Sequence, residues 1–321
     1  MLICLILTTS QLFNKKYMDG LKPNTSCCVI KLSAFYTFNY SWSISVMYRI
    51  IILTTIFLGF SVQILWSKPE RIISLSPTAT EMLFAIGAAE NVIAVDSYSN
   101  FPSSAPLTTL SAFEPNLEAI ALYKPDLVVI SFDVGDLQLG LNSAGIDVLL
   151  LPAVATIEDA FEQILEIGRV TKNEINAENL VSELRIGLHR IISERKGKPK
   201  LKVYHELDEH YYSPSSSSFL GDIYNALGFE NIADRADLAK TGYPKLSAEY
   251  ILGANPEVII TGGRNKNSAQ KISLRPGWTK IEAIKNGLVI TVDPDISGRW
   301  GPRLIDFSEQ VVQSLMAIEN D

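Results

Sequence analysis

The sequence predicts an α/β protein built as two similar lobes joined by one long rigid helix, and three observations carry that expectation. The first is a repeated phrase. In Asn116 to Ile130, and again in Ser247 to Thr261, a cap-competent residue precedes a Glu by two positions, an Ile follows the Glu by two, and a Pro follows it by seven. An acid and a β-branched run come next, so each copy reads as a short helix that opens with an acid and stops at Pro before a buried strand. The second observation is that short β-branched runs alternate with helical or turn material along the chain, as a largely parallel sheet requires. The third is a helical period sustained from Asn173 to Lys196 by Ile175, Leu180, Val181, Leu184, Leu188, Ile191 and Ile192. Such a helix is about 35 Å long, enough to pass from one lobe to the other.

Taken in order, Arg71 to Leu75 reads as a strand running into a helix start with a Thr78/Glu81 capping box, and that helix ends near Gly87. Val92 to Val95, Leu127 to Ser131 and Val148 to Leu151 complete the strands of the first lobe, residues 68–172. Thr156 to Val170 is an amphipathic helix, and the connector spans 173–198. The second lobe, 199–321, restarts the alternation with strands at Leu201 to His205, Val258 to Thr261 and Leu288 to Val292. Its helices are expected at Phe219 to Leu227 and Pro302 to Ile318. Gly228 followed by Phe-Glu-Asn-Ile mirrors Gly87 followed by Ala-Ala-Glu-Asn-Val, so the duplication extends beyond its opening pair.

Ahead of these lobes, residues 47–67 read as a signal peptide or N-terminal anchor. Arg49 precedes an apolar run, and Gly59-Phe60-Ser61 supplies small residues for cleavage after Ser61. The run reaches Trp66, close to the roughly 17 residues that can span a bilayer, which leaves an uncleaved anchor as the alternative. Residues 1–46 show no steady period and read as an upstream start outside the fold. No Cys follows the apolar run, which favours a soluble periplasmic protein over a lipid-anchored one. All three cysteines precede residue 29, so the lobes hold no disulfide, thiolate metal site or cysteine nucleophile. A net charge of -7 argues against a phosphate-tracking surface, and nucleic acid is not an expected partner.

Several constellations have ordinary explanations. His205 and His210 are five residues apart and follow a strand, whereas a zinc-hydrolase helix needs four; no metal site is expected. No dinucleotide or P-loop glycine pattern occurs, so no cofactor is expected. Ser213 to Ser218 reads as a flexible loop, and the basic run Arg195 to Lys202 as a solvated linker. Aromatics, by contrast, recur at loop positions after strands: Tyr98, Phe101, Phe113, Phe132, Tyr211, Tyr212, Tyr243 and Trp300. Strand ends are where open α/β lobes bind ligands, so several of these are expected to line one cleft. Asp295 and Arg299 lie in a loop that a core would not need. Glu118 and Glu249 each gain about 0.3 to 1 kcal/mol from their helix dipoles, which does not account for the match of the whole frame.

Arg71 to Glu81, Ser97 to Pro102, Asn116-Leu117-Glu118 with Lys124 to Val128, Ser247-Ala248-Glu249 with Pro256 to Gly263, and Gly301-Pro302-Arg303 together resemble the class III substrate-binding proteins of ABC importers, which take cobalamin, haem and ferric siderophores. The likeness covers nearly all of residues 69 to 318 and is nearest the vitamin B12-binding branch. It implies two α/β lobes on a rigid helical backbone, no catalysis, and one metal chelate, cobalamin or a related corrinoid, held between the lobes of a monomer. It also implies that Glu118 and Glu249 dock on permease arginines, and that Tyr98, Phe132, Tyr243, Asp295 and Arg299 contact the corrin, with Phe113 beside them. Where the family carries tryptophans this chain has Ala112, Phe132 and Tyr243, a smaller aromatic cage. A ferric siderophore or haem binder of the same class is the near alternative, and a secreted hydrolase using Glu or His pairs the distant one.

Overall fold

The structure, a computed structural model, describes residues 68–263 and 268–319; the expectations for 1–46 and 47–67 lie outside the described residues. The first lobe runs β1 (Ile72–Leu75), α1 (Pro77–Ala85), β2 (Val92–Val95), α2 (Leu117–Leu122), β3 (Leu127–Ile130), α3 (Leu137–Ser143) and β4 (Asp147–Leu150). Helices α4 (Ile157–Thr171) and α5 (Glu174–Arg195) follow. The second lobe runs β5 (Lys202–Glu206), α6 (Phe219–Ala226), β6 (Glu230–Asn231), α7 (Ala248–Ala254), β7 (Val258–Gly262), α8 (Ser268–Ser273), α9 (Glu282–Lys285), β8 (Val289–Val292) and α10 (Pro294–Ser297), and α11 (Leu304–Glu319) closes the chain. Each lobe holds a four-stranded parallel sheet, in the orders β2-β1-β3-β4 and β6-β5-β7-β8. The two orders are the same, so the duplication is one of topology.

The repeated phrase has a mechanical meaning. Asn116 and Ser247 cap α2 and α7 by accepting from the backbone N–H of Ala119 and Tyr250. The acid after each Pro serves the neighbouring strand: Asp126 accepts from the N–H groups of Glu70 and Arg71, and Glu257 from that of Lys202. In return the cation at each strand start reaches the last carbonyls of the repeat helix. Arg71 donates to Tyr123 and Lys124, and Lys202 to Ala254. Gly87 and Gly228, at φ +80° and +78°, terminate α1 and α6, and the following N–H bonds back to Leu83 or Tyr224.

Alternate residues of each inner strand face opposite ways. Leu127 and Val129 of β3, and Val258 and Ile260 of β7, join one hydrophobic cluster with Leu184, Leu188 and Ile191 of α5 and Phe307 and Val311 of α11. Val128 and Ile130 belong to a second cluster confined to the first lobe, and Tyr204 and Ile259 to a third confined to the second. The central cluster passes without a break from one sheet through the helices to the other. The 22 residues of α5, about 33 Å of helix, are thus embedded in a core that the two lobes share.

Two expectations are corrected, and a third, the solvated basic linker, is narrowed to its middle. Pro77 occupies the first helical turn of α1, which makes Ser76 its N-cap, so Thr78 and Glu81 form no capping box. Ser213 to Ser218 is no flexible loop: Ser215 bonds Asp237, Ser216 bonds Asp234 and Ser218 caps α6. A Cβ on Gly221 would lie 1.8 Å from the Ser215 carbonyl oxygen, so only glycine lets this loop close against α6. The basic run is tethered at both ends, Arg195 being buried against Phe229 and bonded to Leu227 while Lys202 serves α7; Lys196, Lys198 and Lys200 between them are exposed. No helix among the described residues is long and apolar enough to cross a membrane.

Because the core is shared, residues 68–321 expressed alone are expected to fold and to unfold in one transition. Ile191→Ala, at a fully buried position of α5, should cost about 2 to 5 kcal/mol and destabilise both lobes equally. Denaturation followed by probes in each lobe checks this; two separated transitions would contradict it.

His205 is buried in the core beside Tyr224 and Phe307, and burial holds its pKa down to about 3. The unfolded chain takes up this proton near the ordinary 6.5, so the contribution of neutral His205 is complete above that pH and is lost as pH falls toward 3. Between those limits the stability of the wild type should fall by about 1.4 kcal/mol per pH unit more than that of His205→Phe. Urea unfolding of both at pH 7, 5.5 and 4.5 measures the difference, and parallel curves would contradict it.

Candidate functional site

The carboxyl ends of the two sheets border a cavity of about 930 Å³. The first lobe supplies an aromatic wall. Tyr98 meets Phe113 edge-on at 5.5 Å between ring centroids, and Phe113 lies 5.4 Å from Phe132 in a tilted contact. All three rings are substantially exposed, which in a buried-core protein marks a surface shaped for something apolar. Ser76, Ser131 and Asp96, each just past the end of its strand, line the cavity's inner end, and Asp295, Arg299 and Trp300 bring in the second lobe. A side chamber of about 180 Å³ lies on the second lobe and shares Pro294, Gly298 and Trp300 with the main cavity. Tyr243, Phe219 and Leu207 line it, as does His205.

The structure thus brings Tyr98, Phe113, Phe132, Asp295 and Arg299 around one space, with Tyr243 in the adjoining chamber. Other aromatics go elsewhere. Tyr211, expected in the cleft, stacks on Trp278 at 6.0 Å in the second lobe's own core, under the Arg275 guanidinium. Phe101 lies beneath Arg303, 4.2 Å from its guanidinium carbon. Tyr212 is half-exposed and lines neither cavity. His205 bonds Tyr224 through Nδ1 at 2.6 Å while the His210 side chain is exposed, so the two histidines share no site. No group of three metal-ligating side chains is assembled among the described residues.

One residue that sequence reasoning missed is Glu81. Its side chain is 2 % exposed and receives Arg299 Nη1 at 2.7 Å, Arg303 Nε at 2.9 Å and Arg303 Nη2 at 2.5 Å. Glu81 belongs to the first lobe and both arginines to the second, so this is a clasp between lobes. Arg299 Nη2 goes on to the Tyr98 carbonyl and to Asn100 Oδ1, and Asn100 donates in turn to Asp295. On the other flank Trp300 Nε1 donates to Gln163, which holds the Pro152 carbonyl. The guanidinium of Arg299 is therefore occupied by protein. The available signal was Ser76-Pro77: a cap fixed at Ser76 releases Glu81 from the first turn.

Glu118 and Glu249 stand away from the cavity, at the second positions of α2 and α7, and both are exposed. The backbone N–H of Glu249 itself and the Ser247 hydroxyl hold the Glu249 carboxyl below its ordinary range. It is a surface anion at neutral pH.

A family model described as periplasmic binding protein matches residues 72–296. An ABC transporter substrate-binding lipoprotein of Bacillus subtilis is 30% identical over 258 residues, covering 77% of this chain and 80% of that protein. A vitamin B12-binding protein of Pectobacterium carotovorum is 30% identical over 262 residues, covering 79% of this chain and 91% of its own. Among solved structures, a periplasmic heme binding protein of Vibrio cholerae superposes with a TM-score of 0.69 at 23% identity, over 76% of this chain and 98% of that one. Extent of match and two-lobed architecture agree: the chain belongs to the periplasmic binding protein family.

Proposed function

We propose that this protein is the extracytoplasmic substrate-binding component of an ABC importer, and that it carries cobalamin or a related corrinoid between its lobes. It works as a carrier and not as an enzyme. The observation that carries the choice of ligand is the chemistry of the cavity. Its wall is three aromatic rings, and the one cation among its described lining residues, Arg299, is engaged by Glu81. Anionic chelates such as haem with its propionates, or an acidic ferric siderophore, gain most from cations that are free to turn toward them. A corrin is broad, apolar on its faces and ringed by neutral amides, which suits aromatic surface and a few hydrogen-bonding groups. The named activity of the Pectobacterium relative supports the same reading. Release to the membrane partner is assigned to Glu118 and Glu249, one on each lobe, which pair with cations of the permease.

Calorimetric titration with cyanocobalamin should show one site that changes little between low and moderate salt. Phe113→Ala, which removes the middle ring of the wall, and Tyr243→Ala should each weaken it by about 1 to 3 kcal/mol. Tight binding of haem or a ferric siderophore with no response to cyanocobalamin or cobinamide would replace the corrinoid and leave the carrier role standing.

Glu118→Ala and Glu249→Ala should leave solute affinity within about twofold, since both side chains are on the surface, and should cost about 2 to 5 kcal/mol in permease docking where the charge pair is desolvated. Pull-down by reconstituted permease, alongside the titration, separates the two effects. Loss of solute binding with docking intact would move these residues to the cleft.

A further inference from the structure

Beneath the aromatic wall, Asp96 is fully buried yet belongs to the lining of the main cavity. One carboxylate oxygen, Oδ1, accepts from the Ser99 hydroxyl at 2.5 Å. The other, Oδ2, is buried with no hydrogen-bond partner among the described residues. Ser99 is linked through Thr80 to Ser74, and Ser76 accepts from Ser131 at 2.6 Å, so the surrounding hydroxyls are already spoken for. Nothing nearby neutralises Asp96 outright. Arg299 is the cation whose charge acts on it, and that guanidinium is bound to Glu81 at 2.7 Å and faces Asp295 at 3.7 Å. Arg303 is likewise on Glu81. Glu81, Asp96 and Asp295 thus all act on the one guanidinium of Arg299.

We infer that Asp96 is a specificity-determining residue of this site, selecting ligands whose periphery presents neutral amides to the first lobe and rejecting those that present a carboxylate there. The inference rests on the corrinoid reading above and deepens it. A charge buried beneath the cavity's lining acts on the cavity through low-dielectric protein, where its field is weakly screened. A carboxylate brought against the first lobe meets this field with no free cation to offset it, whereas an amide in the same place can turn its N–H toward it. Burial pushes the Asp96 carboxyl upward, and the Ser99 hydroxyl with the Ser99 and Tyr98 backbone N–H groups pulls it down. The discrimination belongs to the ionised state, because a protonated carboxyl donates at least as well to a carboxylate as to an amide oxygen.

The test compares cyanocobalamin with its three monocarboxylic acids, each having one propionamide hydrolysed to a carboxylate. Size and shape stay constant and only charge changes. Calorimetry on the wild type is expected to show at least one of the acids bound about tenfold or more weakly than cyanocobalamin, the size of a single unscreened like-charge contact. In Asp96→Asn that ratio should shrink to within about threefold. Asp96→Ser makes the same comparison if the asparagine variant does not fold. A ratio that persists in both variants, or no discrimination in the wild type, overturns the role of Asp96 and leaves the corrinoid reading intact. Absence of cyanocobalamin binding to the wild type overturns both.

Discussion

A carboxylate removed from water is costly unless it is met by charge and hydrogen bonds of good geometry, and Glu81 is met by two guanidiniums at once. The rest of the cleft follows from that requirement. Once Arg299 is turned toward Glu81, its remaining N–H groups hold the Tyr98 carbonyl and Asn100, which aims the start of the aromatic wall. Asn100 in turn holds Asp295 on the opposite lobe. Arg303, the second partner, covers Phe101. Removing one arginine would leave a buried charge half-paired at the junction of the lobes, so the clasp and the cavity stand or fall together.

The clasp lies over a junction that is already apolar and continuous. Central strands from both sheets place alternate residues in one cluster with α5 and α11, and the other residues of those strands close each lobe on its far side. Lobes that share a core in this way have little freedom to swing apart. What remains adjustable is the layer above it, the loops at the strand ends where Phe113, Phe132 and Tyr243 are exposed.

Much of this was legible beforehand, for reasons that differ from element to element. The duplicated frame around Glu118 and Glu249 announced both repeat helices because Pro and a cap bound each of them tightly, and the period of α5 was long enough to be unmistakable. Tyr98, Phe113 and Phe132 could be placed at strand ends and hence near one another. Tyr211 could not be separated from them, since position after a strand does not say whether a ring turns to the cleft or, as here, onto Trp278. Glu81 and Asp96 were illegible for a common reason. The groups that give them meaning come from residues more than two hundred positions away in one case and from burial in the other, and neither leaves a local trace. The serine loop was misread because its partners, Asp234 and Asp237, also lie outside its own segment.

The two halves keep the same bonds with different side chains. Arg71 and Lys202 both reach the end of a repeat helix, and Asp126 and Glu257 both receive the backbone of the adjoining strand. Letter-by-letter alignment of the halves scores these positions as mismatches. A comparison that encodes only the sign of the charge, its reach and its offset from the proline would recover them, and would detect ancient duplications in other chains after identity between their halves has decayed to background.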